Sequence, residues 1–378
     1  MKIEVTHSCE DFTSYRAERV KSLFNADAGY TWSHTAELPI EDLPWMIGLI
    51  VGPSGSGKTS LGKRIFPAGE IHDLYKGWPD GPIIDAISPA GDFNQVTGSL
   101  AAVGLGDVPA WLRPFKVLSN GERFRAGLAR LMCEAPTEVV VDEFTSVIDR
   151  QIAKVGAAAF AKSWRRTKGK AVLLSCHYDI IEWLQPDWIY DTKEARFYTR
   201  DCLRQRPEIK VDICRVPGTK WGYFKPHYYL DLPYPVAAQY FIGFVDNEPV
   251  AHVSVCPMFQ SGYYRATRLV VMPEWQGIGV GTAFLNEVCR LHLDGQGRNG
   301  HKYPVLFHTS HPQLCHALRR SPLWEQVSGR LIGDDKAKSI KTLGNAAEKK
   351  GEKRRSGGFG GHFRAVQGFK YTGGVNDR

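Results

Sequence analysis

The sequence predicts an α/β domain with a mostly parallel sheet, followed by an α+β domain with a mixed sheet. In the first half, apolar strand patterns at 45–51, 138–141 and 171–175 alternate with helical patterns. Such alternation is typical of a parallel sheet covered by helices. The second half starts again with two strand patterns around a turn at 246–249, which predict a β-hairpin. A length of 378 residues also fits two domains better than one.

The predicted domain boundary lies in a charged connector. We expect a first domain at 1–200, a linker at 201–207 and a second domain at 208–378. Within the second domain, a strand pattern at 265–272 runs into a glycine-rich turn and then into a helical pattern at 282–292.

Composition excludes several classes of protein. Hydrophobic residues make up 43% of the chain and charged residues 23%, which is close to the globular average. No stretch approaches the roughly 18 uncharged apolar residues of a membrane helix, and the N-terminus lacks the apolar region of a signal peptide. The eight cysteines are scattered without a C-x-x-C pair, so we expect reduced thiols. A soluble, cytoplasmic protein without a membrane partner is predicted.

The basic excess lies in the second half. Residues 201–378 contain 25 Lys and Arg against 15 Asp and Glu, whereas residues 1–200 contain 23 against 25. A dense run of cations at 336–355 lies within 333–361, which is rich in Gly, Ser and Lys and which we expect to be a mobile loop. Such cations neutralise phosphates without reading sequence, which favours a nucleic acid partner. A merely solvated loop is the alternative.

A phosphate-binding motif follows the first apolar strand. GPSGSGKTS at 52–60 fits G-x-x-x-x-G-K-[ST] between a strand and a helical pattern. In this motif backbone N–H groups turn inward around the phosphates, Lys58 reaches the β- and γ-phosphates, and Thr59 supplies a hydroxyl to Mg²⁺. A later strand ends at Asp142, which can hold Mg²⁺, and Glu143, which can polarise the attacking water. These residues predict a site that hydrolyses ATP.

LSNGE at 118–122 lies between the phosphate-binding motif and the acidic pair, and FTSVID at 144–149 and LLSCHYD at 173–179 follow that pair. With the phosphate-binding motif, they resemble the ABC-type ATPase family over roughly residues 20–195. The family's signature is LSGGQ, so Asn120 and Glu122 depart from it. The resemblance implies that Asp149 is the D-loop aspartate, His177 the switch histidine and Gln95 the candidate Q-loop glutamine. The motif and the resemblance together imply metal ligands at Thr59, Gln95 and Asp142 and catalytic roles for Glu143 and His177. The residues that they imply for nucleotide binding are Gly52, Ser54, Gly55, Gly57, Lys58, Thr59, Ser60, Gln95, Ser119, Gly121 and Asp149.

A second glycine-rich turn lies at 276–281 and fits [QR]-x-x-G-x-[GA] between a strand and a helix. With the upstream hairpin and the strand pattern at 305–309, it resembles motif A of the GNAT acyltransferases over about residues 208–372. The resemblance implies that the turn and the positive end of the helix bind the pyrophosphate of acetyl-CoA or another acyl-CoA. Glycines that only permit a tight turn are the alternative. The binding residues implied are Gln276, Gly277, Gly279 and Gly281.

Acyl transfer needs a neutral amine acceptor and an acid for the leaving thiolate. His308, Ser310, His311 and His316 are candidates because they lie near the expected split of the sheet. Each of them is also consistent with a structural residue.

An aromatic segment at 221–233 points to the acceptor. It interleaves aromatic residues with Lys225 and His227, which suits stacking on a nucleobase; a loop that covers the core is the alternative. The segment, the hairpin and TRLVV at 267–271 are faintly similar to Mom-type DNA adenine modification enzymes.

The sequence as a whole predicts an ABC-type ATPase fused to an acyl-CoA-dependent N-acyltransferase that acts on an amine of a nucleic acid base. The family resemblance implies a homodimer that sandwiches two ATP molecules head to tail, because the signature residues reach a γ-phosphate only in the opposite protomer. One alternative is an acetyltransferase for a protein or small amine with a regulatory ATPase. Another is a nucleotide-switched nucleic-acid clamp without acyl transfer. Import or export would need a separate membrane subunit.

Overall fold

The computed structural model describes residues 1–11, 13–24, 30–203, 207–230, 235, 237–258, 262–330 and 365–374. The loop predicted at 333–361, with its cation run at 336–355, lies outside these residues. In the described ranges, the helices are α1 (Tyr15–Phe24), α2 (Lys58–Gly62), α3 (Ile83–Ala86), α4 (Phe93–Ala102), α5 (Val108–Trp111), α6 (Asn120–Glu134), α7 (Arg150–Trp164), α8 (Ile181–Leu184), α9 (Trp221–Phe224), α10 (Val280–Leu293) and α11 (Pro312–Arg320). The strands there are β1 (Lys2–Cys9), β2 (Tyr30–Glu37), β3 (Ile47–Val51), β4 (Glu138–Val141), β5 (Lys170–Ser175), β6 (Trp188–Asp191), β7 (Arg196–Thr199), β8 (Asp212–Val216), β9 (Gln239–Val245), β10 (Glu248–Met258), β11 (Tyr263–Val271), β12 (Val305–Thr309), β13 (Trp324–Arg330) and β14 (Val366–Tyr371). None of these helices has the length and apolar character needed to cross a membrane.

Contacts divide the chain into two compact units, and each unit takes two stretches of sequence. The first comprises Met1–Trp78 and Ser119–Pro207, and the second comprises Pro79–Leu118 and Glu208–Arg378. The first domain was predicted to contain all of 1–200, whereas Pro79–Leu118 belongs to the second unit. This segment packs in the second unit because α4 contacts α11 and the loop after α4 hydrogen-bonds to the turn before α10.

The first unit is built on a sheet with the strand order β4-β5-β3-β6-β7. Neighbouring strands are parallel except for the edge strand β7, as the sequence predicted. β3 is buried along its whole length, as expected of a parallel strand covered on both faces. Because β3 and β4 run in the same direction, their C-terminal ends lie at the same edge of the sheet. This brings the phosphate-binding motif after β3 close to the acidic pair after β4.

A separate antiparallel pair, β1 and β2, completes the first unit. The sequence analysis did not predict it. Ile3 and Val5 of β1 are buried and pack in one core cluster with Ile50 of β3 and Leu61 of α2. The pair is therefore held to the phosphate-binding motif by a shared core.

The second unit contains a mixed sheet with the strand order β13-β14-β12-β11-β10-β9-β8. β11 and β12 are parallel, and the other neighbouring pairs are antiparallel. The predicted hairpin is formed by β9 and β10, where Asp246 and Asn247 both have a positive φ. Such a pair of φ values is typical of a two-residue hairpin turn that matches the twist of the strands.

The aromatic segment at 221–233 is divided between core and surface. Trp221 and Phe224 are buried, with ring centroids 5.0 and 5.2 Å from that of His252. These two residues cover the core, so they cannot stack on a nucleobase. The polar and aromatic side chains that remain exposed in the described part of the segment include those of Tyr223, Lys225, His227 and Tyr229.

The two neighbouring aromatic residues allow a matched test of this division. Phe224→Ala removes a ring that is 0% exposed, so we expect a loss of about 3 to 5 kcal/mol in the free energy of unfolding. Tyr223→Ala changes a ring that is 52% exposed and should alter stability by less than about 0.5 kcal/mol. Scanning calorimetry of the full chain would measure both. Equal effects of the two variants would contradict the division.

Candidate nucleotide and acyl-CoA sites

The phosphate-binding motif borders a pocket of about 440 Å³ in the first unit. Most of its lining comes from the motif, from the residues that follow β4 and from the end of β5. The lining residues are His7, Trp32, Ser54, Gly55, Gly57, Lys58, Thr59, Ser60, Asp142, Glu143, Ser146, Leu174 and Cys176. The fold therefore brings together the motif and both acidic residues that the sequence analysis assigned to one site.

Lys58 lies at the start of α2 and turns back over the motif. Its Nζ donates hydrogen bonds to the carbonyl oxygens of Gly52 (2.8 Å) and Pro53 (2.7 Å). Burial lowers the pKa of Lys58, while the nearby Cys176 and Asp142 favour its charged form. A phosphate group in the pocket would favour the charged ammonium further.

Thr59 and Asp142 form the part of the site that suits a metal ion. The Thr59 hydroxyl donates to the Asp142 carboxylate at 2.9 Å, so two oxygen ligands lie side by side. Mg²⁺ prefers oxygen ligands and keeps several waters, so one carboxylate, one hydroxyl and substrate phosphates are a fitting set. The described residues contain no cluster of three or more His, Cys, Asp and Glu that could hold a metal ion by itself.

Glu143 follows Asp142 directly, and the backbone there is unusual. Its φ is +50°, and its N–H donates to the Asp142 carboxylate at 2.8 Å. The Asp142 side chain is thereby fixed from two sides, while the Glu143 side chain is exposed and lines the pocket. This geometry suits a metal ligand next to a carboxylate that can accept a proton from water.

His177 lies just after β5, next to the pocket-lining Cys176. The backbone N–H of His177 donates to the Ser175 hydroxyl at 3.1 Å. Burial, and after it the Arg150 charge, lowers the pKa of His177. A neutral imidazole is therefore favoured at pH 7, and it can both donate and accept a hydrogen bond.

Two pocket residues, His7 and Trp32, were missed by the sequence analysis. The Trp32 ring is stacked between His7 and His34, with both centroid distances 5.7 Å, and the His7 ring lies 2.8 Å from the Ser60 hydroxyl. A Cβ at Gly57 would lie only 2.3 Å from the Trp32 ring, so Trp32 covers the motif. An aromatic face beside a phosphate site can stack on a nucleobase. The alternation of aromatic residues and histidine in 30–34 was the signal that could have found it.

Ser119, the predicted signature serine, lies at the start of a helix. It caps α6: its hydroxyl accepts from the Glu122 N–H, and the Glu122 carboxylate accepts from the Ser119 N–H at 2.8 Å. This reciprocal cap gives Glu122 a structural role at the start of α6. A Cβ at Gly121 would meet Ile152 of α7 at 2.9 Å, so glycine permits the two helices to pack. Ser119 and Gly121 do not line the described pocket of their own chain.

Two further predicted residues also stand at helix starts. Asp149 caps α7 and accepts from the N–H groups of Gln151 and Ile152. Gln95 lies in the first turn of α4, which Asp92 caps, and belongs to the second unit. Gln95 does not line the nucleotide pocket, so the structure gives no support to its predicted role at the metal, which stays a prediction.

Gln95 lines a different cavity, of about 660 Å³, in the second unit. The described lining is polar and comes from α4, from α11 with Ser310 two residues before it, and from Ala365 and Gln367 at the start of β14. Its residues are Asn94, Gln95, Ser310, Pro312, Gln313, Cys315, His316, Arg319, Ala365 and Gln367.

The predicted acyl-CoA turn leads from β11 into α10. Gly279 starts the helix with a φ of +96°, and a Cβ there would meet no atom within 4 Å. The backbone at Gly279 is therefore open to a ligand. A Cβ at Gly281 would instead lie 2.6 Å from Val271, so this glycine lets α10 lie close to β11. The Gln276 side chain donates to the Val271 carbonyl at 2.9 Å and fixes the start of the turn.

The strands on either side of this turn separate. β11 and β12 pair only from Tyr264 with Val305 to Ala266 with Phe307 in the described register. Beyond that point β12 stays paired with β14 and β11 stays paired with β10. A fork therefore opens between the parallel strands, and no described strand pairs with the β11 edge from Thr267 onward on that side.

A bulge in β11 lies at the fork. Arg268 has a φ of +56°, and the register with β10 shifts between His252 and Ser254. The His252 ring nitrogen Nδ1 donates to the Arg268 carbonyl at 3.1 Å, and burial lowers the pKa of His252 to about 4. A neutral, buried imidazole therefore holds the bulge, and the sequence analysis missed this residue.

The four predicted catalytic candidates lie close together in sequence but have different surroundings. His308 lies in β12, where its ring would be 2.9 Å from a Cβ at Gly368. The Ser310 hydroxyl is buried and has no hydrogen-bond partner within the described chain. His316 is exposed and lines the 660 Å³ cavity.

His311 has a structural role. Its Nδ1 accepts from the Leu314 N–H at 3.4 Å and so caps α11, and its ring packs edge to face with Trp111 at 5.6 Å. Burial lowers the pKa of His311, which a hydrogen bond to the Gly106 backbone partly offsets. Both sides of the ring are thus engaged in capping and packing, and a catalytic role for His311 stays a prediction.

Comparison with known proteins gives two kinds of relative. Residues 178–298 match the acetyltransferase (GNAT) family, a range that begins inside the first unit. The zinc import ATP-binding protein ZnuC of Jannaschia sp. (strain CCS1) is 36% identical over 155 residues, 35% of this chain and 62% of that protein. The aliphatic sulfonates import ATP-binding protein SsuB 2 of Paracoccus denitrificans (strain Pd 1222) is 30% identical over 136 residues, 35% of this chain and 50% of that protein. The chain thus spans only about half to three fifths of the length of these relatives.

Solved structures of ABC cassettes also match part of this chain, with low TM-scores. CbiO1 of Clostridium perfringens, part of the ABC transporter complex cbiONQ, is 16% identical with a TM-score of 0.34, covering 43% of this chain and 77% of that one. The bacterial ABC transporter cassette MJ0796, a dimeric structure, is 14% identical with a TM-score of 0.32, covering 39% and 80%. The chain therefore combines a region similar to ABC-type ATP-binding proteins with a region that matches the GNAT acetyltransferase family.

Proposed function

We propose that this protein hydrolyses ATP in its first unit and transfers an acyl group from acyl-CoA to an amine in its second unit. The observation that carries the second activity is the fork between β11 and β12 beside a turn whose backbone is open at Gly279. The two sites lie on separate sheets, so one chain can hold both ligands at once.

In the first unit, we assign residues to phosphate binding, to metal binding and to activation of the attacking water. Lys58 and the N–H groups of the motif bind phosphate oxygens, and Trp32 offers a face for the adenine ring. Thr59 and Asp142 would hold Mg²⁺, which when bound neutralises charge on the phosphates. Glu143 orients the attacking water and accepts its proton.

In the second unit, the backbone groups at the open edge of β11 can hydrogen-bond to an extended ligand, as they would to an additional β-strand. The pantetheine arm of CoA has such a shape and carries amide groups. With its pyrophosphate at the turn, the thioester would lie in the fork. The amine nitrogen then forms a bond to the thioester carbonyl carbon, the C–S bond breaks, and the thiolate takes up the proton that the amine loses.

The proposed assembly is a homodimer with two ATP molecules between its subunits. Ser119 and Gly121 do not line the pocket of their own chain, and the α6 start that they form presents N–H groups to an anion. A second copy can supply that helix start to the γ-phosphate.

We further propose that the acceptor amine belongs to a nucleic acid base, as in the Mom-type enzymes that the sequence faintly resembles. The excess of 25 basic over 15 acidic residues at 201–378 supports this acceptor. So do the exposed side chains of Tyr223, Lys225, His227 and Tyr229, since aromatic and cationic groups in alternation bind unstacked bases. Taking a base out of a duplex costs a few kcal/mol, a task suited to an ATP-driven partner unit.

Glu143→Gln should slow ATP hydrolysis by roughly 100-fold to 10,000-fold because it removes the proton acceptor. ATP affinity should stay within about twofold of the parent, since the phosphate contacts are untouched. Trp32→Ala should instead weaken ATP binding and leave the bound ATP competent for hydrolysis. Phosphate release and nucleotide titration would measure both variants. Normal hydrolysis by Glu143→Gln would remove Glu143 from the mechanism.

Gly279→Asn should weaken acetyl-CoA binding by at least about tenfold, or about 1.4 kcal/mol. Asparagine tolerates a positive φ better than other side chains, and a Cβ at this position meets no protein atom, so stability should be nearly kept. Calorimetric titration and thermal unfolding of the full chain would be compared. Unchanged affinity would assign the glycine to turn geometry alone.

Incubating the full chain with DNA or RNA, acetyl-CoA and ATP should yield a nucleoside heavier by one acetyl group, detected by mass spectrometry after digestion. Gly279→Asn supplies the matched control and should reduce the yield. If acetyl-CoA is consumed only when a protein or small amine is added, the nucleobase acceptor is wrong while acyl transfer stands.

A further inference from the structure

The segment Pro79–Leu118 interrupts the first unit and packs in the second. Its described contacts fall on the turn before α10 and on α11. These two elements follow β11 and β12, the strands that form the fork. The segment therefore contacts the structures that border the proposed acyl-CoA site.

The main contact is the side-chain amide of Gln276, whose oxygen and nitrogen both form hydrogen bonds. Gln276 accepts from the Gly106 N–H at 2.9 Å through Oε1 and donates to the Val271 carbonyl at 2.9 Å through Nε2. Gly104 has a φ of +86°, and a Cβ there would lie 2.5 Å from the Gln276 carbonyl oxygen. The loop is thus closely packed against Gln276, the first residue of the turn.

The loop itself is held firmly within the segment. The Trp111 ring is buried, and its Nε1 donates to the Leu105 carbonyl at 2.7 Å. The Leu105 N–H donates to the Leu100 carbonyl of α4 at 2.8 Å. The loop is therefore fixed to both α4 and α5, and displacement of either helix displaces the Gly106 N–H.

A second set of contacts reaches α11. Trp111 packs against His311, which caps α11, and a Cβ at Gly98 of α4 would lie 3.0 Å from the Gln313 side chain. The segment thereby borders both sides of the fork, one through Gln276 and the other through His311.

The segment is also continuous with the ATPase signature. Leu118 is joined by one peptide bond to Ser119, the residue that caps α6. A displacement of Ser119 would therefore act on Leu118 through the backbone.

We propose that Gln276 is a positioning residue that couples acyl-CoA binding to the nucleotide state of the ATPase. The inference rests on the proposed function and adds the regulation of its acyl-CoA site. Because the Gln276 amide links Gly106 to the end of β11, a shift of the segment shifts the turn that binds the pyrophosphate. Binding at the two sites is then linked, and linkage is reciprocal: nucleotide changes acetyl-CoA affinity by the same factor by which acetyl-CoA changes nucleotide affinity.

The test measures that factor in the full chain. Acetyl-CoA is titrated calorimetrically with and without the magnesium complex of the β,γ-imido analogue of ATP, and the analogue is titrated with and without acetyl-CoA. We expect both ratios to agree and to differ from one by at least about fivefold. Gln276→Leu, similar in size but without the amide, should bring the ratio to within about twofold of one.

A second variant reaches the same hydrogen bond from the other side. Gly106→Pro removes the N–H donor, and its ring also displaces the Gln276 amide, since a Cβ at Gly106 already lies 3.0 Å from Gln276 Oε1. The sequence of the acyl-CoA turn is unchanged, so the ratio should fall as it does in Gln276→Leu. The double variant should lose no more than either single variant, since all three break one interaction. Gln296→Leu, at an exposed glutamine of the same unit, should keep the parent ratio.

The outcomes separate this inference from the proposed function. Acetyl-CoA binding that is insensitive to the analogue in the parent protein overturns the coupling and leaves acyl transfer standing. A ratio that survives in Gly106→Pro also overturns it. Failure of the parent protein to bind acetyl-CoA overturns both.

Discussion

Both proposed sites depend on one backbone arrangement, a left-handed glycine that ends a turn and starts a helix after a strand. Gly57 (φ 84°, ψ 9°) precedes α2, and Gly279 (φ 96°, ψ 1°) precedes α10. Glycine adopts these angles without strain, and successive N–H groups of such turns form a concave surface that binds anions. What surrounds the turn decides the chemistry. In the first unit the parallel sheet adds Asp142 and Glu143, and in the second the fork adds an open strand edge.

The sequence predicted the elements that carry a strong local pattern. The strand at 138–141, the strand at 305–309 and the two glycine turns were found because period, turn chemistry and motif agree there. Residues that act through tertiary packing gave no such signal. Trp32 reaches the pocket beside the phosphate-binding motif from the separate antiparallel pair β1 and β2, and His252 holds a bulge from a neighbouring strand. Likewise, the exchange of Pro79–Leu118 between units depends on contacts more than 150 residues apart, such as Gly106 with Gln276.

That exchange gives the two proposed activities a structural connection within one chain. Two units joined only by a linker would bind their ligands independently. Here the chain enters the second unit at Pro79 and leaves it at Leu118, immediately before the ATPase signature. The acyl-CoA turn therefore has a direct structural neighbour that belongs to the ATPase part of the sequence. This placement is the structural basis of the proposed coupling between the two sites.

The central claim is that one chain binds ATP and acyl-CoA at two separate sites. Native mass spectrometry of the full chain with acetyl-CoA and the magnesium complex of the β,γ-imido analogue of ATP tests it most directly. The account predicts a species in which each chain carries one molecule of both ligands, with neither displacing the other. Mutual displacement of the two ligands, or an absence of acetyl-CoA adducts where the analogue binds fully, would contradict it.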